Sequence, residues 1–207
     1  RQLLKAAPGV RVVGEDLGCV PDYVRPDLSC LRIAGFKIPH WEITPEQQIV
    51  RGDTYNPCSF ATYATHDFPP LCNDWNDWAD AVQEAHGAAC DPSVPPDVRR
   101  AAQQKGRDCA RVLCWLGDFA GLHHRECMVH WHQGIKHALI RALLQCHSAY
   151  AALMWTELFD IPVRLNTPGT EGGTNWRPRM PFTAAEACGM EQSAWLQGLS
   201  VEAGRAH

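Results

Sequence analysis

The sequence lacks an apolar run long enough to cross a lipid bilayer. Its longest apolar stretch, residues 142–156, is interrupted by Gln145, His147 and Ser148, whereas a membrane-spanning helix needs about 20 mostly apolar residues. The first residues also lack the basic start, the apolar core and the cleavage-like site of a secretory leader. A role within a membrane is therefore not expected.

Positive charge is not in excess either. The chain has 19 Lys and Arg residues against 23 Asp and Glu residues, which gives a formal net charge of -4. Because proteins bind nucleic acid largely through clustered positive charge that neutralises phosphates, nucleic acid is not expected as a partner.

The ten cysteines include no CxxC pair. They lie within apolar patterns, as in the Arg-Val-Leu-Cys-Trp run at residues 111–115. We interpret them as small buried hydrophobic residues rather than as a disulfide framework, and we therefore expect a protein of the reducing cytoplasm.

The overall composition is that of an ordinary globular protein. Of the 207 residues, 45% are hydrophobic and 20% are charged, which fits one domain or a large part of one. Residues 1–7 have the pattern of the last turns of a helix that ends at Pro8 and Gly9. We therefore expect the chain to begin inside a structural element.

Four short strands are predicted from runs of β-branched and apolar residues that end at polar residues. These runs are residues 10–14, 33–38, 59–65 and 163–165.

Between the third and fourth predicted strands, residues 68–162 are expected to be mostly helical. Trp75, Trp78 and Val82 have the spacing of one helix face, and the longest apolar helix is predicted at residues 135–154. A further helix is predicted to start at Thr183, because Thr-Ala-Ala-Glu has the spacing of a capping box.

Short strands that alternate with helices predict an α/β fold with parallel strands. Polar residues at the strand ends are typical of the catalytic rim of a (β/α)8 barrel, which needs eight strands and about 250 residues. We therefore predict the C-terminal half of such a barrel. Residues 1–207 would form a partial catalytic barrel domain, with residues 68–162 as a long and mostly helical insertion. A complete small α/β sheet remains the alternative.

Three carboxylates lie near predicted strand ends: Glu15, Asp16 and Asp67. Two carboxylates that face one cleft can divide acid and base roles, because different environments separate their pKa values. Glu15 and Asp16 are adjacent on extended backbone and point to opposite sides. We expect one of them to face the cleft and the other to brace the backbone.

Several short sequence motifs follow one another along the chain. They are Val-Val-Gly-Glu-Asp-Leu-Gly at residues 12–18, Gly-Phe-Lys at 35–37, Thr-His-Asp at 65–67, Asn-Thr-Pro-Gly at 166–169 and Asn-Trp-Arg at 175–177. Together, and with the helical region in between, they resemble the amylomaltase family, glycoside hydrolase family 77. Its members are 4-alpha-glucanotransferases, also called disproportionating enzymes.

The resemblance implies roles for particular residues. Glu15 would be the general acid/base of a retaining transfer between alpha-1,4-glucans, and Asp67 would be the carboxylate that holds the ring hydroxyls of the reacting glucose. His66, Asn175 and Trp176 would bind the sugar. Maltodextrin or starch-type glucans are the implied partners, and neither a cofactor nor a metal is expected.

Two features depart from the family pattern. The nucleophile of the family is an Asp in an Arg-x-Asp motif that should precede residue 10, and this chain has no such motif there. We therefore expect the nucleophile on a missing N-terminal half, and we expect this chain to be inactive alone. Phe68 follows Asp67 where many members carry Asn, which leaves the acceptor contacts open.

Two other interpretations remain. His123, Cys127 and His130 have the spacing of one helix face, so a zinc site is conceivable, but no recognised zinc word is present and no metal is expected. The second interpretation is a non-catalytic glucan-binding or interaction fragment, in which the rim holds sugar without cleaving it.

Overall fold

A parallel sheet of four short strands organises the computed structural model, which describes residues 2–6 and 8–205. The strands are β1 (Val13–Gly14), β2 (Ala34–Lys37), β3 (Ser59–Ala61) and β4 (Tyr150–Ala151). They lie side by side in chain order, and each is parallel to its neighbours. The carboxyl ends of all four strands therefore meet at one edge of the sheet.

Helices of very different length surround the sheet. Those in the described residues are α1 (Gln2–Ala6), α2 (Val24–Cys30), α3 (Leu71–Cys90), α4 (Pro96–Ala120), α5 (His124–Cys127), α6 (Gln133–Gln145), α7 (Trp155–Leu158), α8 (Ala184–Cys188) and α9 (Glu191–Glu202). None of the helices described is both long and apolar enough to cross a membrane. The predicted helix end at residues 1–7 corresponds to α1, with Arg1 and Ala7 outside the described residues.

The α/β fold with parallel strands is confirmed, and the first three predicted strands contain β1, β2 and β3. The fourth prediction was wrong. Residues 163–165 lie outside the sheet, and the fourth strand is Tyr150–Ala151, inside the helix predicted at residues 135–154. A continuous apolar run does not distinguish a helix from a buried strand by periodicity. Here α6 ends at Gln145, and residues 146–149 turn the chain into β4.

The core lies between the sheet and the helices that connect β3 to β4. Trp75 is fully buried there, with Trp78 and Val82 packed against the same cluster, which confirms the predicted helix face. Long helices α3 and α4 pack closely because Gly106 lacks a side chain: a Cβ at this position would lie 2.4 Å from the Cβ of Ala85.

Two predictions about cysteine and histidine need correction. The ten cysteines are free thiols, but only Cys72, Cys127 and Cys146 are buried and four are exposed. The predicted helix face with His123, Cys127 and His130 does not exist, because α5 ends at Cys127. His123 caps α5 instead, and His130 bonds to Asp80 at 2.7 Å. The capping box predicted at Thr183 is confirmed at the start of α8.

Arg205, after the last helix, closes the turn that leads into β4. Its guanidinium donates to the carbonyls of Cys146 and Ser148 at 2.7 and 2.9 Å, and also to the carbonyl of Leu144. A charged donor thus satisfies backbone groups between α6 and β4 that have no place in the helix or the sheet.

We predict that Arg205→Ala lowers the free energy of unfolding by about 2 kcal/mol, because hydrogen bonds from a charged donor are lost and backbone acceptors lose their partner. Pulse proteolysis in urea measures this at low protein concentration. The control is Arg107→Ala on the exposed surface of α4, where Arg107 bonds only to the side chain of Gln104 and a change within about 0.5 kcal/mol is expected. Equal effects of the two substitutions would contradict the role of Arg205.

Candidate active site

Glu15 and Asp16 follow β1 at the carboxyl edge of the sheet and have different surroundings. Glu15 is exposed to solvent. Asp16 is buried, and its carboxylate accepts hydrogen bonds from the backbone N–H of Phe36 at 2.6 Å and from Nε of Arg25 at 3.2 Å. The expected bracing role therefore belongs to Asp16. Gly35 makes it possible, since a Cβ there would lie only 3.0 Å from Oδ1 of Asp16.

His66 and Asp67 follow β3 at the same edge. Nε2 of His66 lies 3.3 Å from Oδ1 of Asp67, and the Asp67 side chain is 30% exposed. The backbone N–H of Asp67 donates to the hydroxyl of Thr65 at 3.3 Å. The carboxylate is thus held at this carboxyl edge of the sheet, here called the rim, and it remains open to a ligand.

Residues 164–166 form an irregular segment, here called the strap, that bonds to this loop. Nδ2 of Asn166 donates to Oδ1 of Asp67 at 2.5 Å, and the backbone N–H of Asn166 donates to the carbonyl of His66 at 3.0 Å. Nη2 of Arg164 donates to the carbonyl of Asp67 at 2.5 Å. The segment predicted as the fourth strand therefore braces the two rim residues instead of extending the sheet.

Trp176 lies over His66, with ring centroids 4.8 Å apart. Its backbone N–H donates to the carbonyl of Leu165 at 2.9 Å, and its φ of 60° is in the left-handed region that side chains rarely adopt. The residue is 66% exposed. The structure thus holds a large indole in a strained and open position at the rim.

Asn175, in contrast, is occupied by its own loop. Its Oδ1 accepts from the backbone N–H of Thr167 at 3.1 Å, and its Nδ2 donates to the hydroxyl and the carbonyl of Thr170 at 2.9 and 3.2 Å. These bonds shape the loop that carries Trp176.

An aromatic group continues the rim beyond Asp67. Phe68 meets the ring of Trp41 edge-on at a centroid distance of 5.0 Å, and Trp41 is 44% exposed. His40 packs against Trp41 and Trp78. Burial lowers the pKa of His40 to about 4, so this imidazole is neutral at pH 7 and acts there as a packing residue.

Sequence reasoning did not single out Arg164 as a site residue. A signal was present, since a charged residue interrupts the apolar run of residues 163–165. Asn166 was recognised only as part of the Asn-Thr-Pro-Gly motif at residues 166–169. The hydrogen bonds of Arg164 and Asn166 to Asp67 join residues that are 97 and 99 positions apart in the chain.

The rim combines carboxylates, an imidazole and exposed indoles, which suits a neutral ligand with many hydroxyl groups. In the described residues no three His, Cys, Asp or Glu side chains are grouped in a way that could hold a metal ion. Of the site residues of the sequence analysis, His66 contacts both Asp67 and Trp176, whereas Glu15 follows β1 in the same sheet. Asn175 is bonded within its own loop.

Comparison with known proteins identifies the family. The family described as 4-alpha-glucanotransferase matches residues 1–184. The chain belongs to this family. The resemblance to the amylomaltases is thereby confirmed, and the chain is a member of a family of glycosyl-transferring enzymes.

Individual relatives agree with this assignment. A 4-alpha-glucanotransferase of Chlamydia muridarum is 40% identical over 85 residues, which are 40% of this chain and 15% of that protein. One of Chlamydia pneumoniae is 38% identical over 65 residues, or 30% of this chain and 12% of that protein. The matches thus span less than a sixth of these relatives.

Solved structures show the same fold. Amylomaltase from Streptococcus agalactiae in complex with acarbose matches with a TM-score of 0.61 at 16% identity, over 99% of this chain and 34% of that one. Amylomaltase from Corynebacterium glutamicum matches with a TM-score of 0.64 at 20% identity, over 93% of this chain and 29% of that one. The chain thus covers about a third of each structure.

The short helix α7 contains a buried carboxyl group. Glu157 is 4% exposed, and its Oε2 accepts from the backbone N–H of Met154 at 3.1 Å. Its Oε1 has no hydrogen-bond partner among the described residues. Burial raises the pKa of Glu157 from 4.5 to about 8, so the folded protein keeps a proton that the unfolded chain has released at neutral pH.

We predict from this that the contribution of Glu157 to stability falls as the pH rises from about 4.5 to 8, because over that window its carboxyl group is protonated in the folded state and ionised in the unfolded state. Glu157→Gln keeps the acceptor for Met154 and removes the titration. At pH 8 it should be more stable than the parent by several kcal/mol, on the order of 1.4 kcal/mol for each unit of pKa difference. Urea unfolding at several pH values measures this. The exposed Glu171→Gln is the control, and identical pH profiles for all three proteins would contradict the prediction.

Proposed function

We propose that this chain is the C-terminal part of the catalytic domain of a 4-alpha-glucanotransferase. The enzyme would transfer alpha-1,4-glucan segments from maltodextrin donors to glucose or maltodextrin acceptors by a retaining double displacement. The observation that carries the proposal is the contact of Asp67 with His66 and Asn166 at one edge of a parallel sheet, together with the family match to residues 1–184.

The sheet supports the proposal that the chain is half of a (β/α)8 barrel. Four parallel strands in consecutive order are the arrangement of a barrel segment. On one face Ala61 is buried against the helices. On the other face Phe36, Phe60 and Tyr150 form a ladder with centroid distances of 4.9 and 6.3 Å, and all three are only partly buried. This ladder would face the barrel interior, which strands of the missing N-terminal half would complete.

In the proposed first step, an upstream Asp attacks the anomeric carbon while Glu15 protonates the glycosidic oxygen of the leaving glucan. In the second step, Glu15 removes the proton from an acceptor hydroxyl, which displaces the enzyme carboxylate and restores the configuration. The exposure of Glu15 at the strand end suits both steps. No metal or organic cofactor takes part in this chemistry.

The other rim residues would bind the reacting sugar. Asp67 would accept hydrogen bonds from ring hydroxyls, with His66 beside it. The open face of Trp176 would pack against the apolar side of a pyranose ring. We further propose that Asn175 lines the sugar cleft indirectly, through the loop that its side chain closes.

The alternative, a non-catalytic glucan-binding fragment, is not favoured by membership of an enzyme family. The coding sequence before residue 1 distinguishes the two. An Arg-x-Asp motif on a preceding strand would support the proposed transferase, and a start codon close to residue 1 would support the glucan-binding fragment.

We predict that Glu15→Gln, made in the enzyme that includes the upstream segment, lowers the rate of maltotriose disproportionation by about a thousandfold or more. General acid/base catalysis contributes roughly 10²–10⁴-fold, and the amide can neither donate nor accept the catalytic proton. Chromatography of the glucan products measures the rate. Glu84→Gln, on exposed α3, is the control and should leave it unchanged. A Glu15→Gln rate within tenfold of the parent would refute the assignment.

We also predict that the 207-residue chain alone does not disproportionate maltotriose and associates with itself. It lacks the upstream nucleophile, and β1 and β4 are open edges of the sheet, each with unpaired backbone groups. Light scattering and binding of a hydrophobic dye report the association. Addition of the separately expressed upstream segment should suppress both signals and restore transfer. A chain that is monomeric and active by itself would contradict the proposed division of the barrel.

A further inference from the structure

Arg164 makes two hydrogen bonds to backbone carbonyls at the rim. Its Nη2 donates to the carbonyl of Asp67 at 2.5 Å, and its Nε donates to the carbonyl of Asn166 at 2.8 Å. These are the two residues whose side chains meet, since Nδ2 of Asn166 donates to Oδ1 of Asp67 at 2.5 Å. One guanidinium therefore holds the backbone on both sides of the contact that orients the Asp67 carboxylate.

The same strap reaches the other rim residues through its backbone. The N–H of Asn166 donates to the carbonyl of His66 at 3.0 Å, and the carbonyl of Leu165 accepts from the N–H of Trp176 at 2.9 Å. A displacement of the strap would consequently move His66, Asp67 and Trp176 together.

The charge of Arg164 is directed at these carbonyls rather than at a carboxylate. In the part of the chain that the structure describes, no Asp or Glu oxygen lies within 4.0 Å of its guanidinium nitrogens. Asp74 in the first turn of α3 is an acidic group close enough to interact with its charge. Burial, followed by the neighbouring Asp77, raises the pKa of Asp74 to about 6, and Arg164 opposes that shift.

We infer that Arg164 is a positioning residue, which sets the orientation of the Asp67 carboxylate and with it the strength of transition-state binding. The inference rests on the proposed function, in which Asp67 accepts hydrogen bonds from the ring hydroxyls of the reacting sugar. Arginine is needed because its planar fork bonds to two carbonyls at once, whereas the single ammonium of lysine does not reproduce that geometry. Because misplacement of a catalytic group by about 1 Å can cost roughly a hundredfold in rate, its loss should lower kcat more than it raises KM.

The experiment compares Arg164→Ala and Arg164→Lys with a matched control in the enzyme that includes the upstream segment. The control is Arg99→Ala, because Arg99 also holds two backbone carbonyls, those of Asp91 and Val94 at 2.9 and 3.1 Å, but at the start of α4 and away from the rim. We expect Arg164→Ala to lower kcat for maltotriose by about a hundredfold with KM changed less than about threefold. Arg164→Lys should stay low, and methylguanidinium in solution should restore Arg164→Ala but not Arg164→Lys.

Arg99→Ala should lose stability with no change of kcat. The inference is overturned if Arg164→Ala keeps kcat within about threefold of the parent, or if methylguanidinium restores nothing in an Arg164→Ala protein that is folded by circular dichroism.

A second measurement does not depend on catalysis. Hydrogen exchange of the Asn166 side-chain amide, followed by NMR, reports its bond to Asp67. Exchange should be slow in the parent and in Arg99→Ala, and fast in both Arg164 variants. Unchanged exchange in Arg164→Ala overturns the inference even if transfer is impaired. Conversely, a parent enzyme without any transferase activity refutes the proposed function, while the exchange data still decide whether Arg164 positions Asp67.

Discussion

The contact between Asp67 and Asn166 is the constraint on which the rim depends. It joins residues separated by 99 positions along the chain, and the helices α3 to α7 and the strand β4 lie between them. Because the contact is polar and only partly buried, it does not arise from hydrophobic burial alone. The core around Trp75 and Leu139 packs the helices of this region together. The arrangement of the rim residues thus depends on the packing of the core.

Asp16 shows a second polar constraint, after β1 at the same carboxyl edge of the sheet. Asp16 uses its buried carboxylate to hold the N–H of Phe36 on β2, which leaves the adjacent Glu15 at the surface. A charged group is costly to bury unless it is paired and hydrogen-bonded, and Asp16 meets this condition through Phe36 and Arg25. One carboxylate stabilises the strand end so that its neighbour is presented to solvent. This division explains why two acidic residues occur in succession there.

How much the sequence predicts depends on whether the signal is local. The strands β1 to β3 and the capping box at Thr183 follow from patterns of a few residues, and they were predicted correctly. β4 was missed because its apolar run continues that of α6, and the turn before it is stabilised by Arg205, which lies far away in the chain. Residues 163–165 have the composition of a strand, yet Arg164 finds its partners in the loop after β3. The roles expected for Glu15, Asp67 and Trp176 followed from motifs of the family, whereas the bracing role of Arg164 can be recognised only in the tertiary structure.

The backbone of Trp176 adds an argument that composition could not supply. A bulky residue at a φ of 60° carries a conformational cost of about 1–3 kcal/mol, and folding gains little from an indole that is 66% exposed. Two contacts hold it there nevertheless: the tilted ring contact with His66 and the hydrogen bond from its N–H to the carbonyl of Leu165. Asn175 shapes the loop just before it. Strain of this kind persists where the surroundings enforce it, and it is concentrated at binding and catalytic sites. In the proposed function a sugar ring packs on the open face of Trp176, which would account for a position that the stability of the chain alone does not explain.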